Sequence, residues 1–185
     1  EVIFEETCQN LADGKAIGWF QGKMEFGPRA LGGRSILGDP RSPTMQQSLN
    51  LKVKYRESFR PFAPSVLSED AKDWFDILSE SPYMLFVANI VKSRQRKMSN
   101  KENNLFGIEK LNKIRSEIPA VTHVDYSARV QTVQRETNPK YYALIEKFKQ
   151  LTGCPILINT SFNVRGEPIV CSVEDAFNCF MGTNL

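Results

Sequence analysis

Apolar residues fall into short runs whose spacing switches between helical and extended, with polar, glycine- and proline-rich breaks between them. Residues 5–13 have helical spacing and meet a stop at Gly14, and residues 15–20 form an apolar strand. Residues 35–37 predict a second strand, cut off by Gly38-Asp39-Pro40, and residues 44–51 a helix. The run 62–67 predicts a strand whose Pro61 and Pro64 argue for an edge position or an irregular start. Ser68 is placed to cap a helix to about Phe75, with Glu69 and Asp70 in its first turn. Residues 84–91 are nearly all apolar, the pattern of a strand buried on both faces. A further strand is predicted over 130–133.

Asn138 and Pro139 open a helix in which Tyr142, Leu144, Ile145, Phe148 and Leu151 keep helical spacing until Gly153. An apolar strand follows at 155–158, and Ser172 with Asp175 forms the capping box of a last helix. Strands and helices alternate throughout, which predicts an α/β class with a twisted mixed sheet flanked by helices. The polar, basic, aperiodic stretch from Ser93, which ends near Arg115 after a short helix beyond Phe106, reads as a surface insertion.

Length and charge set bounds on this picture. At 185 residues the chain is one domain, with or without that insertion. No apolar run approaches the roughly 20 residues that span a bilayer, so no membrane partner is expected. The net charge of +3 is too mild to imply nucleic acid. A first residue Glu1 and the tail 181–185 suggest a piece of a longer protein. Four cysteines without C-x-x-C spacing and a single histidine, His123, argue against a zinc site. Cys154 and Cys171 are expected to be buried, reduced thiols, and the compartment to be cytoplasmic.

Chemistry concentrates in four places. At the exit of the strand at 155–158, Asn159, Ser161 and Asn163 would share a face if extended geometry persists, where open α/β sheets put ligands. The run Lys52, Lys54, Arg56, Arg60 interleaves cations with aromatics, and on an extended segment the first three share one face. Arginine forks and lysine point charges suit a polyanionic small molecule. The glycine-rich segment 21–34 matches neither a Walker A nor a G-x-G-x-x-G fingerprint, but it sets Lys23, Arg29 and Arg34 beside flexible backbone. Arg129 leads into an apolar strand and needs an anion, a carboxylate or solvent. With one histidine, no Ser-His-Asp or Cys-His constellation is available.

Three long motifs carry a resemblance: residues 18–32, residues 56–64 and Asn159-Thr160-Ser161-Phe162-Asn163. They resemble the C-terminal domain of bacterial O-carbamoyltransferases, which modify nodulation factors, aminoglycosides and cephem antibiotics. The resemblance runs over residues 1–185 apart from the insertion at about 93–115. It implies a YrdC-like fold, whose Lys-x-Arg and Ser-x-Asn signature is matched by Lys54-Tyr55-Arg56 and Ser161-Phe162-Asn163. It further implies binding of ATP and carbamoyl phosphate and formation of carbamoyl-adenylate, with loss of phosphate and pyrophosphate. On this reading Lys54, Arg129 and Ser161 are the catalytic set, while Arg56, Asn159, Asn163 and Arg29 bind substrate and ATP. Mg²⁺ would arrive with ATP. Transfer to a hydroxyl acceptor would fall to a separate N-terminal domain, where Fe²⁺ or a similar metal would sit. One departure is Tyr126, where the Asp-x-Ser-Ala-Arg stretch calls for glycine. Two other classes stay open: an RNA-binding, tRNA-modification-related module of the same fold, and a non-catalytic interaction domain.

Overall fold

Six strands pair into one sheet in the computed structural model, which describes residues 2–183 and 185. They are β1 (Ile17–Phe20), β2 (Arg34–Gly38), β3 (Ala63–Leu67), β4 (Phe86–Asn89), β5 (Ser127–Val133) and β6 (Ile156–Ser161), in spatial order β1-β2-β6-β3-β5-β4. Only β3 and β5 pair in parallel; every other neighbouring pair is antiparallel. Because β6 runs against β3 and β5, the exit of β6 and the entrances of β3 and β5 lie at one end of the sheet. The helices are α1 (Val2–Ala12), α2 (Met45–Ser48), α3 (Ala71–Trp74), α4 (Asn100–Asn103), α5 (Gly107–Leu111), α6 (Pro139–Thr152) and α7 (Val173–Met181). This is the mixed α/β, YrdC-like architecture expected from the sequence.

Local signals explain the long helices. The Asn138 side chain accepts from the Tyr141 N–H, Pro139 occupies the first helical turn, and Gly153 closes α6 at φ 77°. Tyr141, Leu144, Ile145 and Phe148 bury the face of α6 that meets the sheet and α1. Each such side chain contributes roughly 1.5–3 kcal/mol when removed from water. Ser172 and Asp175 form the reciprocal capping box that opens α7.

Several expectations need correction. The helix expected over 44–51 is a short α-helix continued by a π-helical turn, Leu49–Val53. Residues 68–70 form a 3₁₀ turn, and the Ser68 hydroxyl caps nothing. The strand expected over 130–133 starts earlier, at Ser127, whose N–H donates to Asp125 Oδ1. β3 is an interior strand, not an edge. Pro64 is tolerated because it faces Ile158 of β6 at a point where the pairing with β5, which begins at Ser65, has not started. Cys171 is exposed, unlike Cys8 and Cys154, whose thiols burial pushes up to about 11 and about 12.

The strand expected to be buried on both faces is an edge strand, with Leu85 at 68% and Val87 at 62% exposure. An apolar edge invites pairing with another strand. The chain alone is therefore expected to self-associate through β4. Val87→Lys should shift its sedimentation toward monomer while changing stability by about 0.5 kcal/mol or less. A loss of several kcal/mol would show the side chain to be covered.

The insertion is exposed at residues 99–101 and 103–104 but anchored at its ends. Arg94 lies 4.2 Å over the Trp74 ring and pairs with Glu117 at 2.8 Å, and Gln95 bridges to Ser116. The buried Arg115 guanidinium donates to the carbonyls of Lys110, Leu111, Thr122 and His123. No helix among the described residues is long and apolar enough to cross a membrane.

Candidate functional site

The π-helical turn determines how the first basic residues are presented. The Lys54 N–H donates to Leu49 O at 2.9 Å, and Tyr55 then takes φ 47°, a left-handed conformation that bends the chain. Lys52, Lys54 and Arg56 consequently do not share an extended face: Lys52 lines a different groove, with Asn10 and Lys15. Lys54 turns inward to the exit of β6. Its ammonium donates to Ser161 O, to Asn163 O at 3.0 Å and to Asn163 Oδ1 at 2.8 Å, with Ser161 Oγ at 3.3 Å. Ser161 Oγ donates in turn to Asn163 Oδ1 at 2.7 Å, and Asn163 Nδ2 to Glu167 O at 2.7 Å.

Opposing effects act on that ammonium. Burial, and secondarily Arg56, push the Lys54 pKa from 10.5 down to about 7, while the surrounding oxygens favour the charged form. Lys54 is thus a cation at the edge of neutrality, and a negative charge beside it would favour the protonated form.

Around this lysine, Arg56, Arg60, Ser161, Asn163, Val164, Arg165 and Gly166 line a cleft of about 190 Å³. Four cations and, among the described residues, no carboxylate line it, although Glu57 pairs with Arg60 at 3.0 Å. The Arg56 guanidinium is held by Asn50 Oδ1, 2.7 Å from Nε, and by the Phe62 ring at 5.1 Å. Burial pushes its pKa down, and Arg60 adds to the effect. Gly166 at φ 85° turns the chain just after Arg165, and Arg165 lines the same cleft as the Ser-x-Asn pair.

Arg129 stands at the same end of the sheet, two residues before Gln131, which pairs with Ser65 of β3. It does not line the cleft, but its Nε is buried with no hydrogen-bond partner among the described residues. Burial and then the nearby Arg29 push its pKa down. An arginine pair with a buried unsatisfied donor is a second position suited to an anion. The turn before it holds Tyr126 at φ 66°, the conformation for which glycine is the usual choice.

Asn159 is interior. Its Nδ2 donates to Ala30 O at 3.1 Å and to Gln131 Oε1 at 2.8 Å, while Gln131 Nε2 donates to Leu31 O at 2.9 Å. It fastens the glycine-rich loop that carries Arg29, away from the cleft. Arg34 is likewise structural: its guanidinium donates to Cys171, Gln21, Gly33 and Gly22 carbonyls and lies 3.5 Å from the Phe20 ring centroid. His123 packs against Ser127 Oγ at 3.2 Å, and burial lowers its pKa. Residues the sequence did not single out are Arg165, which sits in the N-V-R-G turn two positions past Asn163, and Asn50, for which the sequence carries no signal.

A second cavity, about 490 Å³ and largely apolar, shares the 59–61 segment and is lined by Phe59, Pro61, Ile108, Leu111, His123 and Asp125 among others. Its chemistry does not call for an anion. Among the described residues no group of three or more His, Cys, Asp or Glu is placed to hold a metal ion.

A family model for the carbamoyltransferase C-terminus matches residues 8–185. The nodulation protein NolO of Bradyrhizobium diazoefficiens is 47% identical over 183 residues, covering 99% of this chain and 30% of NolO. Nodulation protein NolNO of Sinorhizobium fredii is 49% identical over 186 residues, covering 99% of this chain and 24% of NolNO. An uncharacterized Synechocystis sp. protein is 60% identical over 185 residues, the whole of this chain and 30% of its own length. The chain therefore spans 24% to 30% of these relatives. Full-length HypF, solved in a phosphate- and nucleotide-bound form, superposes with a TM-score of 0.57 at 16% identity, over 96% of this chain and 19% of HypF, which is a likeness of fold.

Proposed function

The chain belongs to the carbamoyltransferase C-terminal family, and from that premise we propose that its cation cleft binds ATP and carbamoyl phosphate and joins them as carbamoyl-adenylate. The observation that carries this reading is the convergence of Lys54, Arg56, Arg60 and Arg165 with Ser161 and Asn163 on one small cleft that no carboxylate lines among the described residues. Adenylation brings two anions together, and its barrier is lowered by fixed positive groups that screen one from the other. Arg56, whose Nη donors have no partner among the described residues, holds phosphate oxygens, the Lys54 ammonium adds its positive charge from the exit of β6, and Ser161 and Asn163 orient the group beside them. Arg129 with Arg29 offers the second anion position.

The balance is fixed by chemistry. Carbamoyl phosphate, ATP and one water give carbamoyl-adenylate, phosphate and pyrophosphate. A bond forms between a carbamate oxygen and the α-phosphorus as the α–β bridge breaks and pyrophosphate leaves. No carboxylate lines the cleft, so Mg²⁺ would come bound to the phosphates of ATP, not to a protein cage. Transfer to a hydroxyl acceptor needs a base or a metal to deprotonate the alcohol, and we assign that step to a metal-bearing domain outside this chain, with the whole enzyme in the cytoplasm.

A second reading, an RNA-binding module, is favoured by one observation: Tyr55 and Phe59 are exposed among the cations and offer stacking surfaces. Calorimetric titration with Mg·ATP, carbamoyl phosphate and single-stranded RNA separates the two. We expect both small anions to bind, RNA not to displace them, and pyrophosphate to be released when both are present. An added sugar acceptor should remain uncarbamoylated. Binding of neither anion would overturn the activation role, and a carbamoylated acceptor would overturn the division of labour.

A further inference from the structure

We infer that Asn50, through its hydrogen bonds to Arg56 and to the 58–60 backbone, is the residue that positions the cation cleft. This rests on the reading of that cleft as a phosphate site.

Asn50 is fully buried, and a buried amide must place its donors and acceptors inside the protein. Every one of its side-chain bonds goes to the basic loop. Oδ1 accepts from Arg56 Nε at 2.7 Å, and Nδ2 donates to Ser58 O at 3.2 Å and to Arg60 O at 2.8 Å. Its backbone takes part as well. In an ordinary α-helical turn the Lys54 N–H would bond to Asn50 O. Here it bonds to Leu49 O, and Asn50 O instead accepts from the Arg56 N–H at 3.0 Å. The π-helical turn thus leaves both the carbonyl and the amide of one residue available to hold the segment after it.

The consequence is a guanidinium fixed on two sides. Asn50 engages Nε, the Phe62 ring lies beneath at 5.1 Å, and neither Nη has a partner among the described residues. The fork that remains is the pair of donors suited to two phosphate oxygens. Aspartate would keep the acceptor for Arg56 but set a carboxylate against two carbonyl oxygens, and leucine or alanine would release the loop altogether. Arg56 would then gain rotational freedom that anion binding must remove again.

The test separates positioning from mere structural support. Inorganic pyrophosphate is titrated by calorimetry into the wild-type chain, Asn50→Ala, Arg56→Ala and the double variant, each first checked for cooperative thermal unfolding. Wild type is expected to bind. Asn50→Ala should weaken binding about tenfold or more, the scale of one charge-assisted contact. In the Arg56→Ala background the same change should cost about threefold or less, since the group it orients is already gone. Equal losses in both backgrounds, or an Asn50→Ala variant that binds like wild type, would overturn the inference and leave the cleft assignment standing. Absence of binding by wild type would overturn the cleft assignment, and this inference with it. If Asn50→Ala does not fold, Asn50→Ser takes its place in the cycle. Failure of both to fold would assign Asn50 to the core and not to the cleft.

Discussion

Lys54→Met is expected to abolish most anion binding, by roughly 30- to 100-fold, because it removes a buried positive charge whose attraction for the anion is worth about 2–3 kcal/mol while nearly preserving side-chain volume. The same variant should reveal a pH signature. In the free chain Lys54 titrates near 7, far below its ordinary 10.5. An anion arriving beside it favours the ammonium, so binding at about pH 7.5 should take up a fraction of a proton, and binding near pH 5.5 none. Calorimetry in two buffers of different ionisation heat reads this directly, and Lys54→Met should erase it. Affinity should fall as pH rises above about 7.

Stability of the free chain runs the other way. Between about 7 and 10.5 the unfolded lysine holds a proton that the folded one has lost, so unfolding free energy rises with pH across that window. Below it, the cost of burying the charge is present in full. Proton uptake by wild type that persists in Lys54→Met would place the titrating group elsewhere.

The parts of the fold that could be read from sequence are those governed by short-range chemistry. Asn138, Pro139 and Gly153 bound α6 as expected, and the Ser172–Asp175 box opens α7, because caps and left-handed stops act within one turn. The apolar run before and through β4 departs from two-sided burial for a physical reason. Hydrophobicity says that a side chain favours burial but not what will cover it, and in this chain Leu85 and Val87 remain exposed. The basic run misled for a different one. Its alternation suits an extended segment, whereas a π-helical turn and a left-handed Tyr55 send Lys52 one way and Lys54 another.

Which residues the fold brings together is less legible in the sequence than the residue types themselves. Lys54 and Ser161 lie 107 positions apart, and only the return of β6 beside β3 brings them into contact. Arg34 and Arg129 look alike in sequence, yet one spends its donors on backbone carbonyls and the other keeps a buried donor free. Tyr126 is the informative departure: the sequence position that called for glycine does adopt φ 66°. Asn50 had no signal because its function depends on hydrogen bonds to the loop after a π-helical turn, which no residue pattern announces.

The largest expected effect on the fold comes from Gly32→Ala. A methyl group there would sit 2.6 and 2.9 Å from Cγ and Cε1 of the Tyr141 ring, and closer still to Cδ1. Tyr141 is fully buried on α6 and has no room to retreat. The backbone adds a second penalty, since Gly32 has φ 107°, a conformation closed to L-residues without strain. Overpacking of roughly 1–3 kcal/mol and backbone strain of similar size together predict a loss of about 3–5 kcal/mol. For a chain of this length, that lowers the melting temperature by roughly 10 °C. The site would feel it, because Ala30 O and Leu31 O, which Asn159 and Gln131 hold in place, belong to the same loop as Arg29. Pairing the change with Tyr141→Leu should recover only the steric share and leave the φ strain. Thermal unfolding of the four proteins measures both terms. A Gly32→Ala chain that melts with wild type would show that α6 and the glycine-rich loop are not in the contact described.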